Sequence, residues 1–322
     1  DMILDKSNPE YINLPGIGVL IGGMWVANLY YWGFNQYIIQ RTLAAKSLRE
    51  SQKGILFAAG LKLIIPLVVV IPGIAAYVIV NDPQMLSSLG ESGMTNIPSS
   101  GASDKAYPWL MQFLPVGLKG VAVAALAAAI VSSLASMLNS TSTIFTMDIY
   151  RQYFNKNASN RSTVNVGRLS AAIALLIAVS IAPLLDGLDQ AFQFIQEYTG
   201  IVGILAVFLL GLFWKKTTNK GAIIGALASI PIAMFFKVGP KGWLEGSGLE
   251  SLFPSLPWMD QMGLTCLGTM LVIALVSYLQ NKGKDDPKGI RFTKSTFKTN
   301  PLFNIGAFAI LLILAVVYAL FW

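Results

Sequence analysis

The chain has no histidine and a single cysteine, Cys266, among 322 residues. Without imidazole there is no histidine-based acid–base catalysis, no zinc–histidine site and no imidazole proton relay. One thiol inside an apolar run forms neither a disulfide framework nor a CxxC metal site. Charge is scarce as well: 12% of residues are Asp, Glu, Lys or Arg against 54% hydrophobic, and mean hydropathy is +0.61. Such a chain is solvated by lipid rather than water. The net charge of +7 is spread over short loops between apolar runs and forms no groove-sized face, which argues against nucleic acid as a partner. With so few intramembrane acids, an embedded enzyme has little to work with, and none is expected. The chain opens on Asp1 with no initiator methionine or signal-peptide pattern, and is expected to be a piece of a longer protein.

A window of about 20 residues predicts an all-α membrane protein. Its spans lie near 13–40, 54–82, 116–147, 165–185, 190–214, 219–237, 261–280 and 302–322, about eight transmembrane helices. The loops between them alternate in charge. Four basic residues fall in 41–53, four in 148–168, three in 215–220 and six in 281–300, against Lys6, Lys105, Lys237 and Lys241 in the opposite set. By the positive-inside rule the loops 41–53, 148–164, 215–219 and 281–300 are cytoplasmic, and the amino end of the chain is outside.

Helices in lipid satisfy their own backbones, so polar groups at membrane depth are the informative ones. In GGMWVANLYYWGFNQ (22–36) a glycine pair, Asn28 and a run of aromatics lie near the bilayer centre. Glycines there let a helix break open or let helices pack closely, with Asn28 bonding a neighbour. Lys62 stands between Leu61 and Leu63, four residues before Pro66, and a proline at that spacing leaves the Lys62 carbonyl without its helical donor. The ammonium either snorkels to the inner surface or marks a site beside a kink. In FQFIQEY (192–198) Gln193, Gln196 and Glu197 lie near the outer boundary, as wet helix-end residues or as amides offered to a polyhydroxylated ligand.

The fourth place is the densest in hydroxyls. At 100° per residue, Ala129, Ser132, Ser133, Ser136, Ser140 and Thr143 fall within an arc of roughly 100° on one helix face. This is either a small-residue packing face or a neutral oxygen stripe suited to an alkali cation. Sodium fits such ligands better than calcium, which calls for carboxylates.

Three segments together, GGMWVANLYYWGFNQYIIQRTLAAKS (22–47), AAAIVSSLASMLNSTSTIFTMDIY (127–150) and WKKTTNKGAIIGALAS (214–229), resemble the solute:sodium symporter family, in its sodium/glucose cotransporter branch. The resemblance implies sodium-coupled transport of a sugar such as galactose by alternating access across a bacterial inner membrane. The implied fold is leucine-transporter-like, with two inverted five-helix repeats and a midway binding site between broken helices. Residues 1–214 would be the second repeat and 215–322 three peripheral helices, with the first repeat in the missing amino-terminal half of the protein. The resemblance further implies sodium ligands at Ala129, Ser132 and Ser133, sugar ligands at Asn28, Lys62 and Gln196, an inner gate at Tyr31 and an outer gate at Phe192. Gln193 and Glu197 receive no role. Within the family the alternative solutes are inositol, proline, pantothenate or an anion, over which the resemblance at Lys62 and Gln196 favours sugar, and an ion channel would line its pore with a similar stripe.

Overall fold

The structure is a computed structural model that describes residues 7, 22–90, 95–99, 104–184, 201–238 and 256–321. All regular structure among them is helical, in eleven α-helices with two π-helical and two 3-10 stretches. These are α1 (Gly23–Leu29), α2 (Gln36–Leu43), α3 (Leu48–Asn81), α4 (Pro83–Ser88), α5 (Ala106–Met111), α6 (Val116–Ile144), α7 (Asn160–Ile181), α8 (Ile201–Phe213), α9 (Asn219–Val238), α10 (Trp258–Asn281) and α11 (Pro301–Phe321). Six of the helical segments are long and apolar enough to cross a membrane: Leu48–Asn81, Val116–Phe154, Asn160–Leu184, Asn219–Phe236, Trp258–Asn281 and Pro301–Leu320. The other two predicted spans, 13–40 and 190–214, lie partly outside the described residues. Large apolar side chains such as Leu67, Val68, Val121, Leu176, Leu271 and Leu311 are exposed, as a lipid solvent requires.

Several boundaries differ from the hydropathy reading. Helix α3 begins at Leu48 rather than 54, because Ser47 Oγ accepts the Glu50 N–H at 3.3 Å and Lys53 pairs with Glu50 at 2.8 Å. A cap and an i,i+3 ion pair extend the helix through polar sequence. Pro66 and Pro72 lie inside this unbroken helix, a tolerance ordinary in membrane helices, so Pro66 does not end it. After α6 the chain continues as a π-helix over Phe145–Phe154. The loop expected over 148–164 therefore shrinks to 155–159, and that expected over 41–53 to 44–47.

The chain forms two compact units, residues 1–53 with 189–322, and residues 54–188. In the first, α8, α9 and α10 pack pairwise and α1 packs on α8 and α10, around Val26, Val202, Leu205, Ala206, Met262, Cys266 and Ile273. Small residues set the approach. A Cβ on Gly225 would run into Ile273 Cγ1, one on Gly221 into Ser277 Oγ, and one on Gly203 into Ser229 Oγ. Without a hydrophobic driving force between helices in lipid, such close van der Waals packing is what holds them together. Two buried hydroxyls of α10 stay inside their own helix: Thr269 donates to the Thr265 carbonyl and Thr265 to that of Gln261, both at 2.7 Å. In the second unit α6 packs on α7.

Candidate functional site

The hydroxyl stripe on α6 divides into two halves. Toward its carboxyl end, Ser140 and Thr146 are buried. Gly167 of α7, also buried, comes so close that a Cβ there would lie 2.6 Å from Ser142 Oγ and 3.4 Å from Thr146 Cγ2. Tyr150 and Ser162 extend the contact with a hydroxyl pair at 3.1 Å. Ser142 and Thr146 lie beside the stripe rather than on it, so the small Gly167 lets α7 approach α6 along the stripe's flank, where Ser140 of the stripe is also buried. Toward the amino end, Ala129, Ser132 and Ser133 are exposed. The Ser132 carbonyl accepts the Ser136 hydroxyl at 3.0 Å, while the hydroxyls of Ser132 and Ser133 make no hydrogen bond among the described residues. Two uncommitted hydroxyls on one face are hard, neutral oxygen donors. Three oxygens on a single face do not enclose an ion, so a complete cage needs a second segment.

The glycine-rich first segment is broken. Gly22 is non-helical (φ −112°, ψ −95°) and α1 starts after it, while Gly23 is buried where a Cβ would strike the Met259 carbonyl of α10. Gly23 thus serves close packing. The break comes at Asn35, after a π-helical turn over Tyr30–Phe34 closed by Asn35 N–H donating to the Tyr30 carbonyl at 2.9 Å. Asn35 is extended (φ −78°, ψ 115°), and its Oδ1 accepts the Tyr37 N–H at 3.2 Å to start α2. A single asparagine therefore ends one helix and caps the next. Single π turns are frequent at functional sites.

Asn28, Tyr31 and Trp32 are exposed, on the side of the segment away from Gly23 and Val26. Asn28 Nδ2 donates to the Met24 carbonyl of its own helix at 2.9 Å and bonds no neighbouring helix. Tyr31 meets Trp32 and Tyr37 edge-on, with centroids 5.2 and 6.4 Å away, while Phe34 stacks on Phe208 of α8 at 4.9 Å and anchors the π turn. Lys62 is exposed on α3. Asn28 and Tyr31 belong to the first unit, Lys62 and the stripe to the second. Phe192 and Gln196, with Gln193 and Glu197, lie outside the described residues.

The basic WKKTTNK segment holds a polar hub that the sequence reading passed over. Thr218 N–H donates to Ser277 Oγ at 3.1 Å, its Oγ1 donates to Gln280 Oε1 at 2.8 Å and accepts the Gly221 N–H at 3.1 Å. Thr218 and Ser277 are almost fully buried. A threonine immediately before a helical run was the available signal, as an N-cap.

A multi-pass helical membrane protein with a neutral, hydroxyl-bearing helix face is the class that this geometry defines. A profile of the sodium:solute symporter family matches residues 4–229, and the chain belongs to that family. It is 64% identical over 324 residues, covering all of this chain and 57% of the relative, to a sodium/glucose cotransporter of Vibrio parahaemolyticus. It is 35% identical over 232 residues to the human sodium/myo-inositol cotransporter 2 and 36% identical over 228 residues to the rabbit protein of that name. These alignments cover 70% and 69% of this chain and 34% of each relative. The chain thus spans little more than half the length of the Vibrio relative and about a third of the mammalian ones.

Proposed function

We propose that the protein to which this chain belongs couples the inward movement of sodium to that of a sugar. The observation that carries this reading is the pair of hydroxyls at Ser132 and Ser133, on one helix face and with no hydrogen bond among the described residues, in a family of sodium symporters. Sodium is cargo here: the Ala129 carbonyl and the Ser132 and Ser133 hydroxyls supply part of its cage, and the preceding portion of the protein supplies the rest. Asn28, Lys62 and Gln196 offer amide and ammonium groups to sugar hydroxyls, while Tyr31 closes the site from the inside and Phe192 from the outside. An aromatic face suits the apolar side of a pyranose. The name of the Vibrio relative favours glucose or a similar hexose such as galactose; the names of the mammalian relatives favour inositol as a second reading.

The proposed fold is the inverted-repeat arrangement, with 1–214 as the second repeat and 215–322 as peripheral helices. The basic loops face the cytoplasm of a bacterium and the chain lies in its inner membrane. Sodium bound at the stripe favours the outward-facing arrangement that accepts sugar, and rocking then releases both ligands inward. Coupling of this kind is a difference in affinity between states. Each inward sodium gains about 2.3 kcal/mol per 100 mV of membrane potential.

The test is uptake of labelled galactose, glucose and inositol by the full-length protein in vesicles, with and without a sodium gradient. Ser133→Ala is expected to abolish sodium stimulation of uptake. Uptake that keeps the original sodium dependence in this variant refutes the assignment of the stripe. Steady single-channel currents far above transporter turnover would place the protein among channels instead.

A further inference from the structure

The inner-loop end of the first unit gathers charge that the transport reading does not use. Residues 41–53, 213–220 and 281–300 carry thirteen basic and three acidic residues, and the structure ties these loops together. Asp286 N–H donates to the Lys215 carbonyl at 2.9 Å, and a Cβ on Gly289 would lie 2.8 Å from that same carbonyl, so the 285–289 turn rests directly on the α8–α9 loop. Asn300 N–H donates to Gln52 Oε1 at 3.2 Å, and Gln52 is buried. Lys215, Lys220, Lys284 and Arg291 are exposed, Lys216 is half-buried, and none of these makes an ion pair among the described residues. Asp286 is half-buried, and its Oδ1 accepts the Lys288 N–H at 2.8 Å.

Beside these charges runs a row of aromatics. Phe213 at the end of α8, Phe292 and Phe297 follow one another with centroids 5.4 and 5.3 Å apart, and Phe213 and Phe297 are 59% and 61% exposed. Positive-inside topology accounts for basic loops but not for their fixation against one another with a wet, exposed aromatic row alongside. A phosphate group satisfies the cations, and the aromatic row adjoins the end of an apolar helix, where lipid glycerol and upper acyl segments lie.

We infer that the surface formed by Lys215, Lys216 and Arg291 with Phe213 and Phe297 is a binding site for an anionic phospholipid, the phosphate held by the cations and the glycerol–acyl region by the phenyl rings. The inference rests on the membrane location of the chain and not on which solute is carried. A free phosphate shares the charge chemistry but has no use for the phenyl rings.

The experiment is lipid retention by the purified full-length protein, read by native mass spectrometry with phosphatidylglycerol, phosphatidylcholine and inorganic phosphate as probes. Wild type is expected to retain phosphatidylglycerol at least about tenfold more tightly than phosphatidylcholine. At roughly fivefold per surface cation, K215Q/K216Q/R291Q is expected to lose on the order of 100-fold, and K215Q alone about fivefold if the triple variant does not fold. R151Q/K156Q/R161Q, with the same charge removed from the second unit, is expected to change retention less than threefold, and Phe297→Ala to weaken phosphatidylglycerol but not inorganic phosphate. Equal losses from both triple variants, or retention untouched by K215Q/K216Q/R291Q, overturn the site. Full displacement of the lipid by millimolar inorganic phosphate overturns its assignment to a lipid.

Discussion

Replacing Gly23 by alanine tests whether α1, which carries Asn28 and leads into the Tyr31 turn, is held against α10 as described. The added methyl would strike the Met259 carbonyl and lie 2.8 Å from Met259 Cα, where ordinary contact is 3.4–4 Å. Met259 is backbone in the first turn of α10 and cannot swing aside as a side-chain tip does, so α1 must retreat, loosening the core cluster that Val26 and Met262 share. Overpacking of this kind costs about 1–3 kcal/mol. Alanine recovers up to about 1 kcal/mol over glycine in a helix, which leaves a net loss of about 1–2 kcal/mol. Gly33 is the internal reference, because a Cβ there meets nothing within 4 Å. Thermal unfolding of the purified full-length protein in detergent is expected to fall by roughly 2–6 °C for Gly23→Ala and to hold or rise for Gly33→Ala. Sugar uptake should fall with the first and not with the second. Equal melting temperatures for the two variants would refute the α1–α10 contact and the packing role of Gly23.

Other expectations follow from the same structure. Gly167→Ala pushes on Ser142 Oγ and should destabilise by about 1–2 kcal/mol, while Gly167→Ala with Ser142→Ala should recover much of that loss in a double-mutant cycle. Thr218→Val leaves the Gly221 N–H of a buried residue without its partner and removes the bond to the exposed Gln280, and should cost about 1–3 kcal/mol by denaturation; Thr218→Ser should stay close to wild type. Lys62→Ala is expected to weaken sugar binding without preventing insertion, measured as sodium-dependent ligand binding. Unchanged affinity in that variant would favour snorkelling.

Hydropathy located the membrane helices, because the lipid solvent writes itself into composition. It misplaced their ends where polar residues stay helical for other reasons. The Ser47 cap and the Lys53–Glu50 pair carry α3 outward, and FTMDIYRQYF keeps winding past α6 as a π-helix. The break at Asn35 was hidden for a related cause: its signal is one side chain among aromatics, next to a more conspicuous glycine pair of which Gly23 serves packing. Periodicity aligned the hydroxyl stripe but could not say what covers it. That depends on Gly167, an unremarkable glycine in another helix, whose closeness to Ser142 exists only after α6 and α7 have met. The Thr218 hub was out of reach similarly, since Ser277 and Gln280 lie some 60 residues away along the chain.

The division of the stripe on α6 also has a mechanical side. Ser132 and Ser142 are ten residues apart on one uninterrupted helix, about 15 Å at 1.5 Å per residue. The contact between Ser142 and Gly167 thus pins one point of a stiff rod, and the exposed hydroxyls ride partway along it. A tilt of about 10° around that point carries Ser132 and Ser133 roughly 2–3 Å, which under the proposed sodium reading is the difference between oxygen atoms that would close around a small ion and oxygen atoms that would release it.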